Sequence, residues 1–272
     1  MTKTSYLVVG AGRMGGALIA GWLKDLDSGV TPKQLYIIDP HIGGDGQSAV
    51  AAGARLIEAS DAILPKIDVV LIAVKPQAFE AIAPSISEHL KEGVLVISIL
   101  AGTTISTLSE AFPHQHIVRA MPNTPTAVGA GVTAFTCTEN VTNEQAHIAR
   151  TLLQAGGVVH EVENEHMIDV VTAISGSGPA YVFHMTEALE AAALDLGLPA
   201  EIAPEFARQT IIGAGALMAQ TEMPASELRA AVTSPNGTTQ AALDVLMPTL
   251  PSLIRETVKA ALMRAKTLAK GM

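Results

Sequence analysis

Aromatic rings and charges are scarce in this chain. Rings account for 3% of its 272 residues and charged side chains for 16%, and the formal net charge is −9. Proteins that stack single-stranded nucleic acid need rings along a basic groove, so the composition argues against nucleic acid as a partner. Any anionic ligand has to be held by backbone dipoles instead. Cysteine is nearly missing as well. Cys137 stands alone, which excludes an intramolecular disulfide and thiolate metal clusters and fits a reducing cytoplasm. No apolar run approaches the roughly eighteen residues of a membrane span, and the longest stretches, such as Ile211 to Ala219, contain glycine. Thr2 to Ser5 lead into a strand pattern rather than a signal peptide. A soluble, cytoplasmic protein without a membrane partner is expected.

What is abundant is aliphatic. Hydrophobic residues make up 49% of the chain and the mean hydropathy is +0.36; with so few rings, that mass is Ala, Val, Ile and Leu. Disorder is excluded, and the length admits two domains, each with a core. The first half alternates β-branched runs with helical stretches, the pattern of a parallel sheet with crossover helices. Strands are expected at Tyr6–Val9, 34–38, Asp68–Val74, Val94–Leu100, Ile117–Val118, Val132–Thr136 and Val158–Val162, and a helix at 14–26. After about Glu163 strand signals vanish. The remainder reads as Ala-rich helices at 166–196, interrupted near 176–179, then at 199–220, 226–232, 238–246 and 250–270. The expected domains are residues 1–163, an α/β Rossmann-like dinucleotide-binding domain, and 164–272, an all-α domain.

Gly10-Ala11-Gly12-Arg13-Met14-Gly15 follows the first strand and opens the first helix. In that context the first glycine permits the turn, the second admits a pyrophosphate to the backbone, and the third lets helix and strand pack closely. The helix N-terminus offers free N–H groups, so an acidic protein can hold a dinucleotide without a basic patch. Gly10, Gly12, Arg13, Met14 and Gly15 form the candidate cofactor cradle. Asp39, at the end of the second strand, suits an adenosine 2′-hydroxyl and would repel a 2′-phosphate by about 1–4 kcal/mol at contact range. No lysine or arginine lies between Lys33 and Arg55, so NADH is favoured over NADPH. Asp39 also suits a turn ahead of Pro40.

Four further segments complete a pattern: Ala73-Val74-Lys75-Pro76 after a central strand, Arg119-Ala120-Met121-Pro122-Asn123-Thr124-Pro125, Ser175-Gly176-Ser177-Gly178-Pro179-Ala180-Tyr181, and Thr233-Ser234-Pro235-Asn236-Gly237-Thr238-Thr239. In this order the chain resembles the Δ1-pyrroline-5-carboxylate reductase family over nearly its whole length. The resemblance implies hydride transfer from NADH or NADPH to the C=N carbon of the cyclic imine, giving L-proline in the last step of proline biosynthesis. It also implies that the helical domain dimerises, with active sites formed between subunits, as a homodimer or a higher multiple such as a decamer. Asn236 departs from the glycine usual in the family, but asparagine tolerates the left-handed backbone.

A loop running into a helix N-terminus presents N–H groups to an anion, so the substrate carboxylate is expected on Gly237, Thr238 and Thr239. By resemblance the Thr239 hydroxyl bonds the ring nitrogen and Ser234 shapes the pocket as the second catalytic residue. Without the resemblance these hydroxyls read as helix caps. An imine can arrive protonated, so orientation of the nicotinamide supplies most of the acceleration. The resemblance puts Ser177 on the substrate side, and Ala73, Val74, Lys75, Pro76, Met121 and Asn123 on the cofactor. Otherwise Lys75 reads as a solvated turn residue, Met121 to Pro125 as a rigid loop and Ser177 to Pro179 as a helix kink. Glu222 reads as a surface charge or as a partner for the iminium. The eight histidines lack ligand spacing, and no metal is expected. Alternatives are a reductase of a related cyclic imine, or a hydroxyacid dehydrogenase with a helix lysine as its acid. No lysine occurs between Lys91 and Lys259, which disfavours the latter. A non-catalytic dinucleotide sensor would not need the Thr233–Thr239 loop.

Overall fold

A computed structural model of the chain describes residues 4–269. Eight strands form one sheet in the order β3-β2-β1-β4-β5-β6-β7-β8: β1 Tyr6–Val9, β2 Leu35–Ile38, β3 Arg55–Leu56, β4 Val69–Ile72, β5 Leu95–Ser98, β6 His116–Met121, β7 Gly131–Cys137 and β8 Gly157–Glu161. Crossover helices α1 Arg13–Lys24, α2 Gly44–Ala51, α3 Pro76–Ser87, α4 Ile105–Ala111 and α5 Asn143–Gln154 connect most of them.

The strands β1, β2, β4 and β5 bury every residue, because helices cover both faces of a parallel sheet. Alternate side chains feed two cores. Tyr6 and Val8 join Leu18, Ile19 and Trp22 of α1 and Leu152 and Leu153 of α5 on one face. Leu7 and Val9 join Phe79, Ala83 and Ile86 of α3 and Leu108 of α4 on the other. The buried Trp22 indole donates to the Leu152 carbonyl at 2.6 Å, tying α1 to α5.

Three features differ from the sequence expectation. β3 carries no apolar run; both residues are exposed and only pairing with β2 makes it a strand. β7 runs antiparallel to β6, because the link of residues 122–130 is shorter than the dozen or so residues a parallel crossover needs. The expected helices 238–246 and 250–270 are one over the described residues, α10 Thr238–Ala269, with Pro248 and Pro251 inside it; Lys270 lies outside the described residues. Both prolines are exposed, so carbonyls that lose an N–H partner stay open to water, and the Thr249 and Ser252 hydroxyls bond carbonyls in the same stretch.

Among the described residues, contacts group 4–176 with 262–269, and Ser177–Ala261 separately. The first unit therefore keeps α6 Glu165–Val171 and the π-helical turn Thr172–Gly176, whose Ile168 and Ala173 are buried. The composition break at Glu163 marks where strands end; α6 stays with the sheet because an apolar face holds it there. The second unit is helical: α7 Gly178–Asp195, α8 Ala203–Ala219, α9 Ala225–Ala231 and most of α10. Among the described residues no helix is long and apolar enough to cross a membrane.

Candidate active site

The glycine turn between β1 and α1 is shaped by lack of space. Gly10 has φ +96, and a Cβ on it would lie 2.8 Å from the Ala73 and Val74 backbone; a Cβ on Gly15 would collide with the Gly10 carbonyl. Gly12 is the opposite case. It is the N-cap of α1 and faces open space. The helix start has no side-chain cap and no acidic residue in its first turn, so its orphan N–H groups are available to an anion. These residues fit a dinucleotide pyrophosphate. Arg13 is exposed beside them.

A cavity of about 260 Å³ opens next to this turn, lined by Met14, Ala73, Val74, Met121, Asn123 and Gly176 together with residues 99–101. Five residues expected at the cofactor are thus brought together. Asn123 is buried, and its Oδ1 accepts the Val132 N–H at 3.0 Å; Met121 Cε would sit 3.0 Å from a Cβ on Gly176. Lys75 and Pro76 stand apart from this cavity. Lys75 is the exposed N-cap of α3 and Pro76 its first residue.

Asp39 lines a different cleft, of about 770 Å³, at the end of β2. Its Oδ2 accepts the Ala11 N–H at 2.6 Å and its Oδ1 the His41 N–H at 2.7 Å. It anchors the turn, and each oxygen keeps a lone pair free. Glu58 and Asp61 line the same cleft, and its lining holds no lysine or arginine.

In the helical unit, Ser234 to Gly237 form a turn closed by the Gly237 N–H donating to the Ser234 carbonyl at 3.0 Å. Pro235 and Asn236 hold the central positions of a type II turn, whose third residue needs positive φ. Asn236 has φ 60 and is the one non-glycine residue with positive φ among the described residues. The Gly237 N–H, expected at the substrate carboxylate, is occupied by this turn. Gly237 also has no room for a side chain, since a Cβ would strike Ser234 Oγ. Thr238 and Thr239 open α10, which has no acidic residue in its first turn. Among the described residues neither threonine hydroxyl nor that of Ser234 has a hydrogen-bond partner, so none acts as a helix cap. Ser177 is the N-cap of α7, without a side-chain cap bond. Glu222 is exposed in the loop ahead of α9.

Arg119, which opens the 119–125 segment and was given no role from the sequence, is 4% exposed. Its Nη1 lies 2.6 Å from Glu165 Oε1 and its Nη2 3.4 Å from Asp169 Oδ1. One signal was present: a single cation inside the apolar run 117–121.

Comparison with known proteins matches residues 165–268 to the pyrroline-5-carboxylate reductase dimerisation model and residues 6–102 to the model described as NADP oxidoreductase coenzyme F420-dependent. A pyrroline-5-carboxylate reductase from Synechocystis sp. is 36% identical over 97% of this chain and 97% of its own length. The chain belongs to the pyrroline-5-carboxylate reductase family. A solved family member from Coxiella burnetii superposes with a TM-score of 0.89 at 33% identity, covering 98% of this chain and 99% of that one. The Plasmodium falciparum enzyme, solved with NADP bound, superposes with a TM-score of 0.79 at 27% identity, over 99% of each chain. This family membership makes the chain a nicotinamide-dependent oxidoreductase.

Proposed function

We propose that the protein reduces the C=N bond of 1-pyrroline-5-carboxylate to L-proline, the closing step of proline biosynthesis. The observation that carries this reading is the Ser234–Thr239 turn. It delivers two free N–H groups and an unpaired Thr239 hydroxyl at the mouth of a helix with no acidic residue in its first turn. A substrate carboxylate fits the Thr238 and Thr239 N–H groups, where charge-assisted bonds contribute about 1.5–3 kcal/mol each, against about 0.3–1 for an exposed helix dipole alone. The Thr239 hydroxyl then hydrogen-bonds the ring nitrogen of an imine that arrives protonated, so hydride addition to the carbon completes the reduction without a further proton, and Ser234 packs against Gly237 in the turn. A reduced nicotinamide supplies the hydride when bound. The orphan N–H groups at Gly12 to Gly15 hold its pyrophosphate, and Met14, Ala73, Val74, Met121 and Asn123 wall an apolar chamber that orients the ring and excludes water.

NADH is the preferred cofactor in this reading. Asp39, Glu58 and Asp61 together make the adenosine cleft acidic, and a 2′-phosphate placed there meets like charge with no cation in the lining. Steady-state kinetics with pyrroline-5-carboxylate and each cofactor tests both statements. Cofactor oxidation dependent on that imine is expected, and a preference for NADPH of about tenfold or more, roughly 1.4 kcal/mol, overturns the NADH assignment.

The working form is a homodimer or a higher multiple such as a decamer, in the reducing cytoplasm. α7 buries none of its residues, and Phe183, Phe206 and Leu253 are each 60% exposed or more, so the helical unit lacks the core that a lone chain would need. Light scattering at micromolar concentration should find no monomer; a stable, active monomer would refute the assembly.

A further inference from the structure

The buried cation at Arg119 is not needed to explain the strand that carries it. Exchanging a buried ion cluster for apolar residues is often neutral or stabilising, so stability is a weak reason for a guanidinium in the middle of β6. Its connections suggest another. Glu165 Oε1, which takes Arg119 Nη1 at 2.6 Å, also takes the Ile105 N–H at 2.8 Å. Ile105 starts α4 directly after the loop that contributes residues 99–101 to the small cavity. Two residues along β6 from Arg119, on the same face of the strand, Met121 forms a second wall. The third wall, Gly176, ends the π-helical turn that continues from α6, the helix holding Glu165 and Asp169, and it abuts Met121 Cε. The walls opposite Met14, Ala73 and Val74 are therefore tied to one guanidinium–carboxylate cluster, in which Arg119 Nε has no partner among the described residues.

We propose that Arg119 is a positioning residue, whose bonds to Glu165 and Asp169 hold the β5–α4 loop, Met121 and Gly176 in register around the nicotinamide ring. The proposal rests on the reading that this cavity receives the nicotinamide. Arg119 touches neither cofactor nor substrate; it acts through the walls. The forked guanidinium matters as well as the charge, because Lys offers a single point of attachment and cannot span two carboxylates in fixed geometry.

The test measures three quantities on the full-length protein and on Arg119→Lys: the affinity for ADP-ribose, which lacks the nicotinamide, the fluorescence of bound NADH, which reports the ring environment, and kcat. A positioning role leaves ADP-ribose affinity within about twofold, shifts the NADH emission towards that of free NADH, and lowers kcat about tenfold or more. Unchanged emission with unchanged kcat overturns the proposal. So does an equal loss of affinity for NADH and ADP-ribose, which marks a general loosening of the domain. If NADH bound to the unmutated protein emits as it does in water, the cavity is not the nicotinamide site, and the underlying reading fails rather than the clamp. Should Arg119→Lys not fold, Glu165→Gln at a partly exposed position carries the same three readouts, with smaller shifts in the same direction.

Discussion

The amide of Ala11 donates to the Asp39 carboxylate at 2.6 Å, so the residue placed to read the ribose also ties the glycine turn to the end of β2. The two roles are separable. Asp39→Ala should lower kcat/KM for NADH by about 10- to 100-fold, the value of one charge-assisted hydrogen bond, and lower that for NADPH less, since a repulsive charge is removed. Equal losses for the two cofactors would mean that Asp39 only anchors the turn.

Thr239→Ala should lower kcat/KM by about 10- to 1,000-fold if its hydroxyl acts at the transition state. Thermal stability should be unchanged, because the hydroxyl has no partner among the described residues. An unaltered kcat/KM removes Thr239 from the mechanism.

Gly15→Ala puts a methyl group against the Gly10 carbonyl and 3.0 Å from the Ala73 Cβ. Neither backbone nor a methyl can swing aside, so strain of about 1–3 kcal/mol is expected. The turn should deform and NADH binding should be lost. A calorimetric melt and a binding titration check this; normal affinity with a normal Tm would contradict the packing argument. Gly12→Ala, whose Cβ meets nothing within 4 Å, is the contrasting variant and should fold normally.

Burial pushes the Cys137 thiol up to about 11, with Glu161 adding to the rise and Arg150 opposing it. Alkylation of the native protein near neutral pH should be slow and should accelerate on unfolding, because the thiolate is the reacting form. The unfolded chain ionises first. The contribution to stability is complete below pH about 9 and is lost as pH rises towards about 11. Cys137→Ala should remove that part of the alkaline decline in Tm.

Much of the fold was legible because local pattern and tertiary environment agree. The runs at Tyr6–Val9, 69–72 and 95–98 are continuously apolar, which a strand covered on both faces requires. The loop before α10 was legible as the entry to a helix N-terminus, with Asn236 able to take the left-handed backbone; its type II geometry was not. β3 was not, since Arg55 and Leu56 carry no pattern of their own. Nor was the unbroken course of α10, because proline is a local stop signal that exposure and neighbouring hydroxyl groups can override. In the site, the sequence singled out Met14, Ala73, Val74, Met121 and Asn123 but could not distinguish cavity walls from the exposed Lys75 beside them.

The sequence by itself determined the alternation of strand and helix, the glycine turn with its unencumbered helix start, the family, and thereby the class of chemistry. These depend on residues close together in the chain, where sterics and periodicity act directly. Only the tertiary structure decided that Asp39 anchors Ala11, that the Gly237 amide closes a turn on Ser234, and that Arg119 joins β6 to α6. Each of these is a contact between groups whose polar atoms must find partners once water is excluded, and which partner is nearest is settled by packing and not by local sequence.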